Sequence, residues 1–268
     1  MPDLKLPRAI EIWSVDLVAS VPALTARDAA MQVLPDEDRQ RFARIADPLQ
    51  RAERLAAHVA LRLLIERARG PRARALPFAR LASGKPVLDG HDLDFSLSHI
   101  DGFALIALAH GGTATIGIDV ERLRPVAIEA ARRHAIECAA EHAADAPLPA
   151  LGSEHRFQQA WTRLEALAKA RGVGMARVLA EIGVVGAAWR DGATREAAFA
   201  ATGPAIQAEV AEVGGAPSRA SLGSGYAIAD LALSGADLVA AVAVAGEVPP
   251  RIAVRAFPAD ALLPVKGH

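Results

Sequence analysis

The chain has 268 residues, 52% of them hydrophobic but only 4% aromatic, so it can bury a sizeable core packed by aliphatic side chains and alanine. A single cysteine, Cys138, excludes an internal disulfide and argues against a thiolate metal site. The formal net charge of −1 hides a segregation, because residues 39–85 hold 12 Lys/Arg against 3 Asp/Glu, a local +9 that leaves −10 for the rest.

Charges within the first five residues and the lack of a sustained apolar run there give no signal peptide. Residues 10–18 read as a first strand, and a short helix is expected over 34–46, beginning near Asp36. Asp47-Pro48 then pairs an N-cap with proline at the first helical position. Leu49, Ala52, Leu55, Ala56, Val59 and Leu63 recur at helical spacing, and Gly70-Pro71 stops the helix. Another face carries Arg51, Arg54, His58 and Arg62, a stripe that by pattern alone fits a solvated helix face. The basic segment is a footprint for an anionic partner. Its only aromatics are Phe42 and Phe78 and it has no RNA-binding or zinc-finger signature, so small phosphorylated ligands or an acidic protein fit better than nucleic acid.

Residues 93–99 alternate, with Leu93, Phe95 and Leu97 on one face; residues 103–109 form a continuous apolar strand, and Gly111-Gly112 makes a turn into a third strand over 115–121. In that third strand Ile116, Ile118 and Val120 point one way, Asp119 and Glu121 the other. Residues 128–142 look helical, Pro147 and Pro149 break the chain, and Ser153 is placed to cap a helix that ends at Gly172-Val173-Gly174. The sequence is next legible at 226–233 and 238–245, a hairpin around Ser234-Gly235. The apolar run 238–245 is too short to span a bilayer, so a soluble, cytoplasmic protein is expected.

Residues 97–109 can be laid over 233–245 with six of 13 positions identical, His99 facing Gly235. This echo suggests an α+β fold of two similar subdomains in pseudo-twofold arrangement. The expected division is residues 1–118 with the basic helix, 119–248 with a metal-binding helix, and a C-terminal extension over 249–268. An internal duplication of this kind favours a monomer.

Taken alone, Asp119 and Glu121 fit a polar rim as well as a site, and Glu165 with Lys169 fits a helix-surface ion pair worth ~0.2–0.5 kcal/mol. Together, three acids from a strand end and a helix face could converge on one divalent cation, with an ammonium alongside. The ordered set Gly84-Lys85-Pro86, Phe95-Ser96-Leu97-Ser98-His99, Gly117-Ile118-Asp119-Val120-Glu121, Trp161-Thr162 with Glu165-Ala166 and Lys169, and Gly172 with Gly174 closely resembles the Sfp-type 4′-phosphopantetheinyl transferases. The resemblance implies transfer of the 4′-phosphopantetheine arm of coenzyme A to a serine of an apo acyl or peptidyl carrier protein, with release of 3′,5′-ADP.

It also implies that Asp119, Glu121 and Glu165 hold Mg²⁺, which favours octahedral oxygen ligation. By the same resemblance Lys169 binds the pyrophosphate and stabilises the leaving group, and His99 contacts the 3′-phosphate of coenzyme A with Ser98 nearby. Lys85 supplies another phosphate contact. Glu165 or a metal-held water takes the serine proton, the sequence leaving both open. The family's phosphate-binding arginine falls on Arg51 or Arg54, although a strict alignment puts Glu53 there. Leu164 stands where the family commonly has lysine, and on the helical wheel it falls with Phe157, Ala160 and Leu167. Two rival readings are a coenzyme A-binding relative without transferase activity and a nucleic-acid-associated basic protein. Trp161 reads as a buried aromatic fixing its helix to a sheet, and Asp101, Glu137, Glu141 and His142 as solvated groups.

Overall fold

In a computed structural model of the protein, the described residues are 9–81, 84–88, 93–110, 115–184, 222–235, 237–246 and 252–258. The Gly111-Gly112 turn and most of the 249–268 extension lie outside them. Strand β1 (Ala9–Asp16) stops two residues short of the expected end, because the Asp16 carboxylate accepts a 3.0 Å bond from the Ala19 amide and caps helix α1 (Leu17–Met31). That helix carries Pro22 in its body, which masks it in the sequence. Helix α2 covers Asp36–Ala43, and α3 covers Pro48–Arg69 from the Asp47 cap to Gly70 as read from the sequence. A short helix α4 (Pro71–Ala75) and a small hairpin of β2 (Ala79–Arg80) and β3 (Pro86–Val87) follow.

Strands β4 (Leu93–Ile100) and β5 (Phe103–His110) form an antiparallel hairpin whose tight turn uses Gly102 at φ +78. β5 also pairs antiparallel with β1, and β9 (Val254–Ala256) runs parallel to β1 on its far side, giving the order β4-β5-β1-β9. The second sheet, β6-β8-β7, is built from β6 (Ile116–Arg122), β7 (Tyr226–Asp230) and β8 (Leu238–Ala245), all antiparallel. β6 pairs with β8 along its whole length, so it belongs entirely to the second sheet.

The alternation of β5 decides how the layers stack. Ala104, Ile106 and Leu108 pack with Val59, Leu63 and other residues of the helical side, whereas Leu105, Ala107 and Ala109 meet Ile116, Ile118 and Val120 of β6 and Val242 of β8. Both faces of β5 are therefore covered, which is why its sequence is an unbroken apolar run. The mixed α+β architecture has two sheets facing each other, with α3 outside the first and α5 (Ala130–Ala144) and α6 (Ser153–Arg171) outside the second. A short helix, α7, spans Met175–Glu181. Among the described residues no helix is long and apolar enough to cross a membrane.

Helix α6 is the axis of the second half. Ser153 is its first residue, not its cap; Gly152 takes the cap position, which therefore has no side-chain bond. The helix buries Phe157, Ala160, Leu164 and Leu167 as its pattern predicts. It also buries Arg163, which donates at 2.7 Å to each oxygen of Asp230 on β7 and at 2.8 and 3.1 Å to the Ala146 and Pro147 carbonyls. Removing that guanidinium leaves the Asp230 carboxylate with the 2.8 Å bond from Gln159 and takes this donor from the two carbonyls. Arg163→Ala is expected to cost about 3 kcal/mol of unfolding free energy, read from a denaturant midpoint. Glu137 and Glu141 are not simply solvated either: both pair with Arg156 of α6, at 3.0 and 2.7 Å.

Candidate functional site

Strand β4 runs beside β6 at the joint between the sheets, and its polar face replaces part of a backbone ladder with side chains. Asp94 accepts from the Ile116 amide at 2.8 Å, Ser96 from the Ile118 amide at 3.1 Å, and Ser98 donates to Asp119 at 2.7 Å. On the other side β6 lies against α6 at very short range. A Cβ on Gly117 would sit 2.0 Å from the Ala166 carbonyl oxygen and 2.4 Å from the Ala170 nitrogen, so glycine alone permits this approach. Close packing is what carries Asp119 and Glu121 to the helix face holding Glu165 and Lys169.

The result is a buried acidic triad. Carboxylate oxygens of Asp119, Glu121 and Glu165 all lie within 4.8 Å of one another, and all three residues are buried. Lys169 donates to Asp119 Oδ1 at 2.7 Å and to the Ile118 carbonyl at 3.0 Å, and stands 3.7 Å from Glu165 Oε1. Trp161, one turn before Glu165, donates its indole N–H to Glu165 Oε2 at 3.0 Å. Among the described residues, Asp119 Oδ2 is buried with no hydrogen-bond partner. An orphaned carboxylate oxygen beside two further acids is the donor set that a small hard divalent cation would complete.

Burial, foremost, pushes the Asp119 carboxyl up to about 7; Lys169 opposes the shift, and the charges of Glu165 and Glu121 add to it. With the folded value above the usual 3.8, the folded chain keeps a proton that the unfolded chain has already released between those two pH values. The Asp119 contribution to stability is thus intact below about pH 4 and is lost as pH rises towards about 7. In EDTA, the thermal midpoint of the wild type is expected to fall across this window relative to Asp119→Asn, and excess Mg²⁺ is expected to reverse the fall. Parallel midpoint curves for the two chains would contradict the assignment.

Beside the triad opens a cleft of about 670 Å³. Its wall carries Arg41, Arg44, Arg62, Arg80, Lys85 and Lys169 against Glu37 and Asp38, with His58 and His99 between them. Lys85 is anchored at 3.0 Å to both Asp94 and the Ile116 carbonyl. The basic helix contributes His58 and Arg62 to this wall, not Arg51 or Arg54, and Arg54 is exposed. The stripe read as a solvated face is therefore split. Arg62 is 1% exposed, donating to the Arg74 and Leu76 carbonyls with its guanidinium 3.6 Å from the centre of the Phe78 ring. Burial, then neighbouring Arg41, His99, Arg62 and Arg54, lowers His58 to about 3, leaving it a neutral hydrogen-bonding group on a cationic wall. Arg41, Arg44 and Arg80 lie inside the basic segment, and the charge count pointed to them as a group without singling them out.

Residues 115–229 match the family model described as the 4′-phosphopantetheinyl transferase superfamily. Over that stretch the chain is similar to this superfamily. The match contains the triad and Lys169, whereas Lys85, Ser98 and His99 precede it. A phosphopantetheinyl transferase of Thraustochytrium sp. is similar to this chain, 25% identical over 183 residues that cover 63% of each protein. The chain thus spans about 63% of the length of that curated relative. Leu164 is fully buried in the α6 core, on the inward face its helical spacing predicts.

Proposed function

We propose that this protein is a 4′-phosphopantetheinyl transferase that moves the phosphopantetheine arm of coenzyme A onto a serine of an apo acyl or peptidyl carrier protein. The observation that carries the reading is the convergence of three buried carboxylates, one with an orphaned oxygen, at the edge of a cleft lined with arginine and lysine. A cleft of about 670 Å³ suits a ligand of coenzyme size, and its cations match a diphosphate and a 3′-phosphate.

In the reaction the serine oxygen bonds to the phosphorus that carries the pantetheine arm, and the bond from that phosphorus to the bridging oxygen breaks. The electron pair leaves on 3′,5′-ADP, and the serine proton passes to Glu165 or to a water. Asp119, Glu121 and Glu165 would hold Mg²⁺, which supplies charge neutralisation at the leaving phosphate and orientation of the attacked phosphorus. Lys169, held between the acids and the cleft, offsets negative charge on the departing group. Arg41, Arg44, Arg80 and Lys85 attract and orient the coenzyme's phosphates, and His99 at the end of β4 faces the cleft where the 3′-phosphate would be received, whereas Arg62 is held by the Arg74 and Leu76 carbonyls and Ser98 by Asp119.

The fold supports a pseudo-twofold division. β4-β5 and β7-β8 are antiparallel pairs joined respectively to β1 and β6, and α3 and α6 cover corresponding faces. We read the chain as a monomer acting in the cytoplasm. The test combines the full chain, Mg²⁺, coenzyme A and an apo carrier protein. A carrier mass gain of one phosphopantetheine arm is expected. Retained coenzyme A binding with unchanged carrier mass would instead identify a binding relative without transferase activity.

A further inference from the structure

The Trp161 indole presents a feature that core packing does not require. Its ring already belongs to the α6 core, tilted against Phe157 at 6.3 Å between centroids, yet its N–H is aimed at Glu165 Oε2. An indole nitrogen can only donate, so this 3.0 Å bond occupies one carboxylate oxygen at a place where both residues are buried. The other oxygen, Oε1, faces Lys169 and the triad. Asp119 is divided in the same manner, Oδ1 held by Ser98 and Lys169 while Oδ2 has no partner among the described residues.

We propose that Trp161 is a positioning residue that fixes Glu165 as a one-oxygen ligand, so that the triad selects a small octahedral cation over a larger one. The proposal rests on the metal reading of the triad given above. Mg²⁺ and Mn²⁺ are served by single oxygens at right angles, with the remaining positions left to water and substrate phosphates. Ca²⁺ is served better by carboxylates that swing to offer both oxygens. Outer partners that orient a ligand typically alter metal affinity by 10–100-fold.

The experiment titrates Mn²⁺ into the full chain without coenzyme A and reads free Mn²⁺ by electron paramagnetic resonance, with Ca²⁺ as competitor. Wild type is compared with Trp161→Phe and with a chain carrying benzothienylalanine at position 161, which keeps the bicyclic shape and removes the N–H. Both replacements are expected to weaken Mn²⁺ binding about tenfold and to narrow its preference over Ca²⁺. Wild-type Mn²⁺ binding in the benzothienylalanine chain would overturn the proposal, whatever Trp161→Phe does, because packing alone would then suffice. Absence of Mn²⁺ binding in the wild type would remove the metal reading itself and the proposal with it. Loss of carrier transfer with these Mn²⁺ differences intact would strike only the assigned reaction.

Discussion

Asp119→Ala and Glu165→Ala chains are expected to keep their fold and lose transfer by about a thousandfold or more, several kcal/mol of barrier at 1.36 kcal/mol per tenfold. The fold survives for a stated reason. Asp119 is buried where its charged form is disfavoured, so deleting it relieves desolvation as well as removing bonds to Ser98 and Lys169. Lys169 then still has Glu165 within 3.7 Å and the Ile118 carbonyl at 3.0 Å. The measurement is single-turnover transfer to an apo carrier, together with circular dichroism and a thermal midpoint for each variant. Turnover near the wild-type rate in either variant would remove these acids from the metal site. Mg²⁺ at tens of millimolar is not expected to rescue Asp119→Ala, because the orphaned oxygen itself is gone.

The second large effect needs no change to any polar group. Gly117→Ala places a methyl against the Ala166 carbonyl, the Ala170 amide nitrogen and the Lys169 Cβ, all on the helix that carries Glu165 and Lys169. Two of these obstacles are backbone atoms and cannot rotate away, so strand and helix must separate. Overpacking of this kind typically costs about 1–3 kcal/mol. The functional loss should be larger, because Lys169 is drawn away from Asp119 and the three carboxylates no longer share one centre. Transfer is expected to fall about a hundredfold, since misplacement by an ångström costs that much. Mn²⁺ affinity should fall in parallel. A Gly117→Ala chain with unaltered Mn²⁺ affinity would show that the triad does not depend on this close approach.

Much of this site is legible in the sequence, for reasons of periodicity. Two acids at i and i+2 share a strand face, and Glu165 and Lys169 share a helix face, so each pair is fixed before any tertiary structure is known. The cap at Asp47-Pro48 and the stop at Gly70 fix α3 equally well. What escapes is information that only packing creates. The stripe Arg51, Arg54, His58 and Arg62 has one pattern but two fates, because Asp38 and the segment around Leu76 cover its C-terminal part and leave Arg54 in water. Helix α1 escapes because Pro22 argues against it locally, while burial of Leu17 and Leu24, with Asp28 paired to Arg39, outweighs that preference. Trp161 reads correctly as a core residue, yet the direction of its N–H follows only from where Glu165 lies.

The parallel pairing of Val254–Ala256 with β1 brings the last described strand back to the first. During synthesis the N-terminal sheet therefore waits for residues 254–256 before its border is closed. A product truncated ahead of Val254 would offer the bare hydrogen-bonding rim of β1, from Ile12 to Ser14, to other chains. Self-association of truncated products would then come from this distant seam, with the acidic triad untouched.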